Sequence, residues 1–180
     1  MSIISKTAAI RGLAAVAAIA TLGITAPQAS AADGLGAVTG VAISPKASKE
    51  TRAVAAAEPK AAQYTANLCG SGYSLWMAQR LPDASNRLGT LFLYNNSDNT
   101  AACAIFDNNT ASAKFMKLQL CENQVNPTCS VDEGTFSQYA GPVRITGDYV
   151  YCSKVTALMK NSAGSGSYLI NRADYATPCD

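Results

Sequence analysis

The sequence predicts an all-β fold: a small antiparallel β-sandwich or barrel stapled by disulfides, preceded by a signal peptide and a flexible linker. Three observations carry this. All six cysteines lie at or beyond position 69. Short apolar stretches alternate with turn signals at strand-like spacing, the pattern of sandwiches and barrels. The first residues have the layout of an export signal, which places the cysteines where disulfides persist.

Residues 1–31 read as that signal. Lys6 and Arg11 supply positive charge, an uncharged Ala-rich run follows, Pro27 breaks it, and Ala29-Ser30-Ala31 offers a small-residue cleavage site. The apolar run is shorter than the roughly 20 residues a bilayer span requires. The mature chain is expected to begin at Ala32 or Asp33 with no membrane span. Removing two of the 14 Lys and Arg leaves twelve against 12 Asp and Glu. A neutral chain lacks the basic footprint of a nucleic-acid binder.

Residues 32–63 are rich in Ala, Gly, Ser, Lys and Glu and hold no aromatic residue. Such a segment has too little apolar area of its own to offset ordering entropy, so it is expected to be a disordered linker. Pro45 and Pro59 bound a stretch able to form a transient helix.

The folded domain is expected over 64–180. Its first strand, 72–80, places Tyr73, Leu75 and Met77 on one face and Trp76 on the other. Residues 88–94 (LGTLFLY) form a strongly apolar strand, and Asn95-Asn96-Ser97-Asp98-Asn99 a turn. Residues 101–106 come next. Then 114–121 alternates Met116, Leu118 and Leu120 with Lys117 and Gln119, the mark of a half-buried strand. Strands at 135–139, 143–146, 149–158 and 168–171 complete the set. In 149–158 the period is ambiguous, because Val155, Leu158 and Met159 also fit one helical turn.

An even cysteine count in a small exported domain reads as a disulfide framework, with fifteen pairings open to six cysteines. Cys121 and Cys129 flank residues 122–128, so a bridge between them closes a hairpin tip. Cys69–Cys103 and Cys152–Cys179 are the expected partners for the rest, although sequence alone does not fix connectivity. Zinc is disfavoured because the chain has no CxxC pair and no histidine.

The absence of histidine also removes Ser-His-Asp and Cys-His catalysis. Asp107, Asp132, Glu133 and Asp148 are the carboxylates available for a glycosidase-type pair, but each sits in turn-like sequence. Asn96, Asp98, Asn99, Asp107 and Asn108 are too few hard oxygen donors in any one loop for calcium. No cofactor, metal or catalytic residue is expected. Asn95 and Asn108 open Asn-x-Ser/Thr triplets, glycan acceptors only in a eukaryotic secretory route. Aromatic residues offer the candidate binding surface: Trp76, Tyr73, Tyr94 and Tyr139. Trp76 is the best pointer, although a tryptophan packed beneath the linker or a loop is the commoner arrangement.

The segment Cys69-Gly70-Ser71-Gly72-Tyr73 resembles the spore-associated protein A family of filamentous actinobacteria. The likeness continues through Leu88-Gly89-Thr90-Leu91-Phe92-Leu93-Tyr94-Asn95 and the strand around Cys103. It is clearest from Asp132 to Val143, and Cys152 and Cys179 match the family's later cysteines. Cys121 and Cys129 stand as an addition to the family's usual four, which favours pairing them with each other. After Cys152, Ser153-Lys154-Val155 departs from the family's aromatic, glycine-rich run. The resemblance implies an exported protein of aerial growth or spores, with no reaction attached. The expected function is therefore a secreted, non-enzymatic protein of the spore or cell surface, with cell-wall or spore-surface components as partners. The alternatives are a protease inhibitor using the Cys121–Cys129 loop and a polysaccharide-binding module.

Overall fold

The computed structural model describes residues 40–179. The expected signal and the start of the expected linker lie outside the described residues.

The rest of the expected linker is ordered, and from Lys49 on it is almost wholly helical. Helix α1 runs Lys49–Ala57 and helix α2 runs Pro59–Cys69. Ser48 caps α1 by accepting the Thr51 N–H at 3.0 Å. Pro59 begins α2 where its missing N–H costs nothing. Gly70 ends α2 at φ +92°, backbone that an L side chain rarely adopts. The domain boundary therefore moves from residue 64 to the first described residues. The reason is physical. The inward helix face is made of Val54, Ala55, Ala62 and Thr65, and the large side chains that bury it belong to the sheet beneath: Leu75, Phe92, Tyr94 and Ile105. Composition of the segment alone missed that contribution.

Eight strands follow: β1 Ser74–Pro82, β2 Arg87–Asn95, β3 Ala101–Asn108, β4 Lys114–Cys121, β5 Cys129–Phe136, β6 Tyr139–Thr146, β7 Lys154–Lys160 and β8 Ile170–Tyr175. They pair antiparallel in two four-stranded sheets, ordered β1-β2-β3-β6 and β5-β4-β7-β8. The chain thus forms the expected disulfide-stapled β-sandwich, with a helical layer added on one outer face.

The layers explain the sequence patterns. Between the sheets lie Leu91, Leu93, Ala104 and Phe106 from one side and Met116, Leu118, Val155, Ala157 and Met159 from the other. Strands β2 and β3 are covered on both faces, by the second sheet and by the helices, so they read as continuous apolar runs. Strand β4 is covered on one face only and alternates. Val155, Ala157 and Met159 are all buried, so β7 follows the two-residue period, not the helical one.

Several strand boundaries differ from expectation; β6, for one, begins at Tyr139 rather than 143. Residues 137–138 turn between β5 and β6, so 135–139 is not a strand of its own. A 3₁₀ turn at Asp148–Val150 delays β7 to Lys154, and β8 begins at Ile170. Most of β5 went unread because two of its inward residues, Ser130 and Asp132, are polar. Ser130 Oγ accepts from Arg144 N at 3.3 Å, and Asp132 Oδ2 accepts from Gly141 N at 2.6 Å. These bonds stitch the edge of one sheet to the edge of the other.

The disulfides pair Cys69 with Cys103, Cys121 with Cys129, and Cys152 with Cys179. The first ties the end of α2 to β3. The second closes the β4–β5 hairpin at directly opposed residues. The third holds the C-terminal segment beside the turn that leads into β7.

Candidate binding site

Trp76 sits at a register shift in β1, between Leu75 and Met77. Regular alternation is broken there. Leu75 and Ala78 pack toward the helices, whereas Trp76 and Met77 both pack against the inter-sheet core. The indole does not stand on an open face, and its other side borders a cleft.

The cleft has a volume of about 330 Å³ and is lined by Ser44, Lys46, Ser74, Trp76, Asn95 and Asn96, among others. Each wall has its own support. Residues 42–44 run alongside β1, with Leu75 N donating to Ala42 O at 2.7 Å and Ser44 N to Leu75 O at 2.9 Å. Arg52 on α1 donates to the Ser44 and Pro45 carbonyls at 3.0 and 3.1 Å. The opposite wall is the β2–β3 turn, where Asn96 Oδ1 accepts from Ala101 N at 2.9 Å and Asn95 donates to Asn99. Pro178, whose carbonyl accepts from Cys152 N at 3.1 Å, closes one end.

Chemically the cleft offers one aromatic ring, several hydroxyl and amide groups and, as the one charged lining residue among those described, Lys46. Among the described residues its lining holds no carboxylate and no thiolate. That combination suits a neutral, hydroxyl-rich ligand: the indole takes the ligand's C–H face and the rim exchanges hydrogen bonds with its hydroxyls.

The four aromatic residues singled out in the sequence are not brought together. Tyr73 packs against the helix-side core. Tyr94 is 1 % exposed and belongs to no surface. Its hydroxyl lies 2.7 Å from Thr65 Oγ1 and donates to Ala62 O at 2.9 Å, and burial pushes its phenol well above the usual range. Tyr139 pairs edge-on with Tyr64, ring centroids 5.6 Å apart, on a separate shallow surface beside Asp107 and Gln138. Only Trp76 lines the cleft. The residues around it were not read as a binding cleft because Ser44 and Lys46 fell in the supposed linker and Asn95 and Asn96 read as a turn.

The carboxylates singled out in the sequence have separate surroundings. Asp132 binds the Gly141 N–H, and Glu133 pairs with Lys117 at 3.0 Å. Asp148 stands exposed on the 3₁₀ turn. Glu58, unnoticed in the sequence, is a buried hub between α1 and α2. It takes Arg80 Nε at 2.7 Å, Arg87 at 2.9 Å and Thr90 Oγ1 at 3.1 Å. Asp107 lies beside this hub. Its carboxyl is pushed up to about 6, first by burial and then by the charge on Glu58, with Arg87 opposing. The Asn109 amide, oriented to satisfy both neighbours, accepts from Thr90 N at 3.2 Å and donates to Asp107 at 3.1 Å. These groups join the helical layer to the first sheet. Among the described residues no group of three or more Cys, Asp or Glu is placed to hold a metal ion.

Residues 122–128 form the remaining feature. Positions 123–128 are all exposed, and Val125 at the tip is 96 % exposed. The loop is braced at its base by Cys121–Cys129 and by Glu122 N donating to Thr128 O at 3.0 Å. Asn123 N donates to Tyr149 O at 2.8 Å.

These features define a disulfide-stapled, three-layer β-sandwich with an aromatic, amide-rimmed cleft. No family model, no curated protein and no solved structure matches the chain significantly. Its three disulfides fit an extracellular protein. Among the described residues no helix is long and apolar enough to cross a membrane.

Proposed function

We propose that this chain is an exported, non-enzymatic protein of the spore or cell surface that binds neutral glycan of the wall through the Trp76 cleft. The observation that carries the binding reading is the indole of Trp76 in a cleft of about 330 Å³ rimmed by Ser44, Ser74, Asn95 and Asn96. That volume accommodates one or two sugar rings. Export is supported by the arrangement of residues 1–31 and by three disulfides. The surface location is supported by the resemblance over 69–179. The non-enzymatic reading is supported by the lack of histidine and by a cleft whose described lining carries no carboxylate.

The test is co-sedimentation of the purified exported protein with insoluble peptidoglycan, chitin and cellulose. Retention on at least one, lost in Trp76→Ala with the fold intact by circular dichroism, is expected. Protein left wholly in the supernatant of all three contradicts the binding reading. Recovery from culture medium alone, with none in spore washes, contradicts the surface location.

A further inference from the structure

Of the three bridges, Cys121–Cys129 restrains the unfolded chain least. It spans a sequence separation of 8, against 34 for Cys69–Cys103 and 27 for Cys152–Cys179. A bridge restrains the unfolded chain less the shorter the loop it closes. It joins residues already opposed at the end of the β4–β5 ladder, which the backbone pairing itself holds in register. Its main effect is local: it fixes the shape of residues 122–128.

That shape has a particular character. The loop projects from the sandwich, with Val125 almost wholly in solvent. Gln124 and Asn126 flank the tip with neutral amides, and Pro127 stiffens the descending arm. Gln124 is itself tied back to Glu122 at 2.6 Å. The Asn123–Tyr149 bond braces the ascending arm against the 3₁₀ turn. An apolar side chain held out on a braced backbone has already lost the freedom that a flexible peptide loses on binding. A cleft that binds extended chain and has a pocket for one small aliphatic side chain is the complement of this loop. Elastase-like endoproteases have that cleft, and subtilisin-like ones, with a broader apolar pocket, also admit a small aliphatic side chain.

We propose that residues 122–128 are an inhibitory loop that occupies the substrate cleft of a serine endoprotease, with Val125 in the primary pocket. Binding involves no net bond cleavage. Should the enzyme hydrolyse the Val125–Asn126 amide, one water is consumed, and the new carboxylate and amine stay in one molecule, joined through Cys121–Cys129. This role is independent of the Trp76 cleft.

The experiment is a progress-curve assay of an elastase-type protease, subtilisin and trypsin with the purified exported protein at up to about 10 μM, near the lower edge of useful affinity. Inhibition of the elastase-type enzyme or subtilisin is expected, with trypsin unaffected. Val125→Gly is expected to weaken inhibition by about 100-fold or more, as loss of a hot-spot side chain does. Val125→Lys is expected to transfer inhibition to trypsin. Both variants change a solvent-exposed tip, so their thermal midpoints should match the parent. The proposal is overturned if the parent inhibits none of the three, if it is consumed as an ordinary substrate, or if Val125→Gly inhibits as well as the parent.

Discussion

The hydroxyl of Tyr94 on β2 lies 2.7 Å from Thr65 Oγ1 on α2, inside the layer between the helices and the first sheet. This contact shows why the helices belong to the domain. The phenol also donates to the Ala62 carbonyl, so one sheet residue engages α2 at two successive turns. Tyr94→Phe keeps the ring and removes both bonds. Thr65 Oγ1 can then turn its hydrogen to Ala61 O, 2.8 Å away, so nothing is left orphaned and the cost should be about 1 kcal/mol. Tyr94→Ala, which opens a cavity, should cost about 3–5 kcal/mol. Urea denaturation of the two variants checks the ratio. Equal small losses contradict the packed helical layer.

Glu58 gathers Arg80 and Arg87 with its own side chain only 7 % exposed, whereas the arginines are 27 % and 40 % exposed. Removing the carboxylate leaves two cations half in water, so the loss falls between that of a buried and a surface pair. Glu58→Ala should destabilise by about 2–3 kcal/mol. Protease protection of residues 49–69 should fall with it. An unchanged denaturation midpoint contradicts the hub.

Asp107 gives the pH dependence a definite sign. Its folded value is about 6, against an ordinary value of 3.8. The native state therefore holds this proton more tightly than the unfolded chain. The stability it contributes is full below about pH 4 and is lost as pH rises through 6. Asp107→Asn removes the titration. The stability of the Asn variant relative to the parent should increase from pH 4 to pH 7, measured as the difference in urea midpoints. A constant difference across that range contradicts the assignment.

The disulfides should differ in worth according to the chain they close. Replacing both members of Cys69–Cys103 by Ala should cost about 1 kcal/mol more than replacing both members of Cys121–Cys129, from the loop-length dependence of closure entropy. Calorimetric midpoints of the two double variants decide it. An equal or reversed order contradicts the view that the shorter bridge serves the loop rather than the fold.

The legible parts of the fold were those where one strand carries its own signal. Met116, Leu118 and Leu120 alternate with polar residues because β4 has one wet face, and that period is visible in the letters. The continuous run of β2 was read as a strand, but not why: Leu91 and Leu93 face the second sheet while Phe92 and Tyr94 face the helices. The helices were read only as transient because their buried residues are mostly Ala and Thr, which look inert without the sheet that covers them. Most of β5 was missed because Ser130 and Asp132 spend their side chains across a sheet corner. Trp76 was the one site residue visible from sequence. Its surroundings come from three distant segments, and a register shift that no alternation rule predicts sets its direction. Glu58 lay hidden for the same reason as the helices.

The most direct test of the cleft uses the fact that Trp76 is the single tryptophan of the chain. Its emission therefore reports that site alone. Purified exported protein should be titrated with soluble chitooligosaccharides and peptidoglycan fragments while tryptophan fluorescence is followed. A saturable change in intensity or wavelength with at least one of them is predicted. A flat signal with both, up to about 10 mM ligand and beyond the weakest useful affinity, contradicts it.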